Sequence, residues 1–86
     1  MNVWLFQVGG LVFQVTELAR PAHFVVVCNN GAVESGFESV TGVAGARAVL
    51  CRALDVFGRQ KLVPPEVVNC PEAGFVLAGS VSVPVG

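Results

Sequence analysis

The tetrapeptides Leu5-Phe6-Gln7-Val8 and Val12-Phe13-Gln14-Val15 are near-copies that meet at Gly9-Gly10. A Gly-Gly pair between alternating apolar runs is a hairpin signal, because glycine accepts the positive φ of primed turns. Folding about it pairs Val8 with Leu11, Gln7 with Val12, Phe6 with Phe13 and Trp4 with Val15. One face then reads Trp4, Phe6, Val8, Leu11, Phe13, Val15, wholly apolar. The other reads Val3, Leu5, Gln7, Val12, Gln14, Thr16, apolar and polar but uncharged. This constrains the fold strongly: both sides of the sheet are adhesive.

Size sharpens the problem. The 86 residues make one domain, 53% apolar and only 13% charged, about half the usual charged share of roughly 25%. A chain this short hides about 60–65% of its unfolded surface. Apolar side chains must therefore remain outside, and a second chain is the expected cover. Valine supplies 19 positions, while isoleucine and tyrosine are absent and Lys61 is the lone lysine. The valines suit a half-buried pleated surface. The missing types, and Arg over Lys, point to a GC-rich bacterial or phage coding sequence.

A second hairpin is expected from Ala22–Cys28, through Asn29-Asn30-Gly31, to Ala32–Val40. Asn30-Gly31 favours a type I′ turn, which pairs Cys28 with Val33, Val26 with Ser35 and Phe24 with Phe37. Arg20-Pro21 separates the hairpins. After Val40 the apolar period changes from two to 3.6: Val43, Ala46, Val49, Leu50, Ala53 and Phe57 form one stripe. A helix over Gly42–Phe57 follows, with Thr41 or Ser39 as its cap and Gly58 as its stop. Pro64-Pro65 breaks regularity before a third hairpin, Glu66–Cys70 and Phe75–Val83 about Pro71-Glu72-Ala73-Gly74, with Gly79 marking a bulge or close approach. The expected fold is a single α+β domain over 1–86. It has an antiparallel sheet of about six strands, order ββββαββ, with one helix packed on one face.

Net charge is −1 with no basic run, so the footprint of a nucleic-acid binder is absent. Three cysteines with no Cys-x-x-Cys read as free thiols in a reducing cytoplasm. The first charged side chain is Glu17, so no basic leader is expected, and no apolar run reaches the roughly 18 residues of a membrane span.

Chemical motifs are sparse. His23, the only histidine, lacks a nucleophile and an orienting group nearby in sequence. Cys28, Cys51, Cys70 and His23 have zinc-ligand chemistry but no short-spaced pair. Cys51 lies beside Arg47 and Arg52, a setting in which a thiolate is one reading, but an ordinary exposed thiol is the one expected. The helix start at Gly42–Arg47 is a generic anion site without the lysine of a phosphate loop, and Gly45 there serves close packing. No enzyme, metal or cofactor is expected.

The function expected is therefore a non-enzymatic protein-binding module, homodimeric and acting by surface occupancy. A phage or mobile-element inhibitor of a bacterial host protein, of the anti-CRISPR kind, fits its size. Leu5, Gln7, Val12, Gln14, Val25 and Val27 on the reverse sheet face suit self-association. Arg47, Asp55 and Arg59 on the outer helix suit a foreign partner. The alternative is a small-ligand-binding or regulatory subunit, its pocket between helix and sheet around Trp4, Phe6, Phe24 and Leu50.

Overall fold

The computed structural model describes residues 1–29 and 31–84. Five strands, β1 (Asn2–Val8), β2 (Leu11–Glu17), β3 (His23–Cys28), β4 (Val33–Phe37) and β5 (Val76–Ser82), form one antiparallel sheet in the order β4-β3-β2-β1-β5. One long helix, α1 (Gly42–Arg59), covers one face, and a short one, α2 (Pro65–Val68), follows it. No helix among the described residues is long and apolar enough to cross a membrane.

The first hairpin has the expected register, with Phe6 opposite Phe13 and Trp4 opposite Val15. Its apolar face joins Phe24, Val26 and Cys28 of β3 beneath the helix stripe Ala46, Val49, Leu50, Ala53, Leu54 and Phe57. Phe13 and Phe57 stack with ring centroids 6.2 Å apart. Each fully buried large side chain of this set contributes on the order of 1.5–3 kcal/mol.

The second hairpin is displaced by one residue from the expected register. Val27, not Cys28, faces Val33, and Phe24 faces Gly36, not Phe37. The cause lies at the turn: Cys28 N–H donates to the Ala32 carbonyl, and Gly31 N–H to the Cys28 carbonyl. The reversal thus spans three residues instead of two, with Gly31 at φ 92° supplying the left-handed residue such loops require. Asn30, the other half of the expected type I′ pair, lies outside the described residues. A one-residue slip exchanges the faces of a strand. Glu34 and Gly36 turn toward the helix, and Val33 and Phe37 turn away from it, 61% and 66% exposed.

Helix α1 runs two residues beyond the expected Phe57. Gly58 lies inside it, where an added Cβ would stand 2.5 Å from Val68, so it permits close packing and is not the stop. The stop falls on Lys61, at φ 60°; Lys61 N–H donates to Gly58 and Leu62 N–H to Phe57, the paired bonds of a Schellman ending. Thr41 is the N-cap residue but makes no side-chain cap bond. Glu17 does that work instead: it is 7% exposed, and its two carboxylate oxygens accept the Gly42 N–H at 3.3 and 3.4 Å.

The expected third hairpin does not form. Pro64 and Pro65 start a helical turn in place of the strand at Glu66–Cys70, because Pro65 sits at the first helical position, where its missing N–H and fixed φ are favourable. The Pro64 carbonyl accepts the N–H groups of Val67 and Val68. β5 therefore pairs with β1, and the sheet has five strands. The expected irregularity near Gly79 is present: Leu5 faces Gly79 and Phe6 faces Leu77, leaving Ala78 as the extra residue.

Candidate protein-interaction surface

The face of the sheet turned away from α1 is the most distinctive surface of the molecule. The registers arrange it in rows: Ser35, Val25, Thr16, Val3, Val81 across five strands, then Val33, Val27, Gln14, Leu5, Gly79, then Val12, Gln7, Val76. His23 and Phe37 close the β3–β4 end, their rings 5.6 Å apart. Among the described residues, none of the five basic and six acidic side chains stands on this face. Glu17 and Glu34, the only charged strand residues, share the helix-facing parity of Val15 and Val26. Interface cores are depleted of charge in the same way.

The six residues assigned to self-association, Leu5, Gln7, Val12, Gln14, Val25 and Val27, all lie on this face, on β1, β2 and β3. Sequence reasoning placed Val76 on this face but missed Phe37, Val33 and Val81; all four are more exposed members. The register slip at Gly31 hides the first pair from any pattern that assumes a two-residue turn. Val81 joins the face because the extra residue at Ala78 reverses the parity of β5 beyond it.

The three helix residues do not act as one patch. Arg47 is half-buried and bound within its own chain: Nη1 donates to the Phe75 carbonyl at 3.1 Å, and the guanidinium lies 5.1 Å from the Phe6 ring centroid. Asp55 and Arg59 remain exposed and border a groove of about 720 Å³, which Leu62, Val63, Pro64 and Val68 also line. Arg52, read in the sequence as a neighbour of Cys51, ties α1 to the end of β4. It binds the Glu38 carboxylate and donates to the Phe37 carbonyl at 2.6 Å. Arg52 and the Ser39 groups hold the Glu38 carboxyl below its ordinary range.

His23 and Cys51 sit in different layers. His23 is on the open sheet face with Nδ1 2.9 Å from the Pro21 carbonyl, whereas Cys51 is exposed on the helix. Burial pushes the Cys51 thiol up, and the carboxylates of Glu72 and Asp55 add to this, with Arg52 opposing them. Arg52 does not outweigh them. No group of three His, Cys, Asp or Glu residues suited to a metal occurs among the described residues. The helix start already holds an anion from within the chain, the Glu17 carboxylate on the Gly42 N–H. Trp4, Phe6, Phe24 and Leu50, the residues of the alternative ligand pocket, are all core members at 8% exposure or less.

The chain matches no known protein family, no curated protein and no solved structure.

Proposed function

We propose that this chain is a non-enzymatic protein-binding module whose charge-free sheet face is its contact surface, paired in solution with the same face of a second copy. The observation that carries this is the segregation of charge: every ionic side chain is on the helix side or in a loop, and none is on the open face. A wall exposed to water gains from charges on its outer strand positions. A wall that docks loses by them, since each must be desolvated.

Size supports the same reading. Five strands at about 4.8 Å and seven residues at about 3.3 Å give a footprint of about 550 Å². A pleated surface has more accessible area than its footprint, so the face approaches the roughly 800 Å² per partner of a standard interface. Asp55 and Arg59, at the far side of the helix, stay free for a foreign protein. Blocking a host protein by occupying its surface, as an inhibitor carried by a phage or mobile element does, suits so small a module. The free thiols of Cys28, Cys51 and Cys70 suit a reducing cytoplasm.

The test is the mass of the particle. Val12→Lys with Val25→Lys places charges on β2 and β3 without touching the core face. The expected result is a halved mass by light scattering with an unchanged far-ultraviolet spectrum. A variant that keeps the native mass would overturn the reading.

A further inference from the structure

We infer that β5 is a second self-association site, pairing antiparallel along its free edge with the β5 of another copy. The inference is independent of the open face. β5 ends the sheet beside β1, and six of its seven residues are exposed, with Gly79 half-buried. The helix contacts β1 to β4 more than β5, so the strand is open on both sides as well as along its edge. From Phe75 to Val83 it carries no charge and no proline, two of the devices by which edges are protected from pairing; a third, the bulge at Ala78, leaves Gly79–Ser82 in regular register. β4, the other edge, is different. It is five residues long, bears Glu34, and has Arg52 and Glu38 clasped at its end.

Backbone geometry selects the register. Met1 and Val83 exchange hydrogen bonds, Val83 N–H to Met1 at 2.6 Å and the Met1 amine to Val83 at 2.7 Å. Val83 and Val81 therefore direct their N–H and C=O groups at β1, and Ser82 and Ser80 direct theirs outward. A twofold axis through Val81 sets Ser80 against Ser82 of the other copy, giving about four backbone hydrogen bonds. It also sets Val81, 60% exposed, against its own counterpart, at the close spacing of a non-hydrogen-bonded pair. This register keeps like faces together, because the bulge at Ala78 lies outside the paired segment. The apolar row through Val25, Val3 and Val81 then continues into the second copy. A second copy is the occupant this edge fits, because it sets exposed Val81 on Val81 and extends the charge-free open face across the seam without a break.

Edge pairing and face pairing use different surfaces, and a face-pairing axis that meets the edge axis at a right angle closes a particle of four chains. Ser80→Pro removes one outward N–H and leaves the bonds to β1 in place, a position where an edge strand tolerates proline. Light scattering should give four chains for the native protein, two for Ser80→Pro, two for Val12→Lys with Val25→Lys, and one for all three changes together. If only the edge pairs, the native protein has two chains and Ser80→Pro has one, while the face variant keeps two. A folded Ser80→Pro with native mass, or a native protein of one chain, would overturn the edge proposal; the former leaves the edge to a foreign strand. Should Ser80→Pro not fold, Ser80→Lys with Ser82→Lys sets lysine against lysine on the helix side of the same contact. Its mass should halve at low salt and recover at high salt, and an unchanged mass at low salt would equally overturn pairing.

Discussion

Gly45 shows how little room a single position can leave. A Cβ there would lie 2.1 Å from the Val40 carbonyl oxygen and 2.7 Å from the Phe24 ring. Helix propensity favours alanine over glycine, yet here the backbone of the preceding turn cannot give way. Gly45→Ala should therefore destabilise the fold by about 2–3 kcal/mol, read as a lower urea midpoint. Lys61 presents the opposite case. It ends α1 at φ 60°, a conformation that costs a residue with a Cβ about 1–2 kcal/mol, partly offset by the extra chain entropy of glycine. Lys61→Gly should stabilise by about 0.5–1 kcal/mol, seen as a raised midpoint with an unaltered denaturant slope.

At the scale of elements, the joint between α1 and β4 is electrostatic. Gly36 offers the helix no side chain, and the Arg52 contacts with Glu38 and the Phe37 carbonyl fasten the strand end. Because the folded state lowers the Glu38 pKa, the pairing is fully present above the ordinary carboxylate value of about 4.5 and is lost as pH falls through the lowered one. Glu38→Gln should thus reduce the acid dependence of stability below that pH and leave the neutral-to-alkaline profile parallel to the native one. Thermal melts from pH 7 to pH 3 would show this, and identical acid limbs would contradict it. At the N-terminal end of the same helix, the buried Glu17 carboxylate joins the end of β2 to Gly42 and Ala22. No local capping motif encodes that contact.

For the whole molecule, the decisive property is asymmetry between the two faces of one sheet. The helix side is sealed by aromatic and aliphatic packing, and the charges collect around it. The other side is left mixed apolar and polar, uncharged and open, with Phe37 its most exposed large apolar residue. Phe37→Ser should change monomer stability by less than about 0.5 kcal/mol, the range of ordinary surface changes. The same substitution should weaken self-association measurably in a dilution series. A large loss of stability with unchanged association would mean that Phe37 serves the fold and not the interface.

Local rules determined much of this. The repeated tetrapeptides about Gly9-Gly10 set the first hairpin, its register and its buried face. The 3.6 period set the helix and its inner stripe from Ala46 to Phe57, although Val43, expected at the start of that stripe, is 39% exposed, and the scarcity of charge announced an exposed apolar surface. Gly31, Pro65 and β5 were settled otherwise. A three-residue reversal at Gly31 outweighed the Asn-Gly preference, and Pro65 found its place at the start of a helical turn. β5 took the free edge of β1, from which it is far separated in the chain, Asn2 facing Ser82 and Gln7 facing Val76. Turn signals and apolar periods act over a few residues, so they specify elements and their inner faces. Which strands become neighbours, and hence whether Phe37 and Val81 belong to the core or to the open wall, depends on contacts that only the assembled sheet can make.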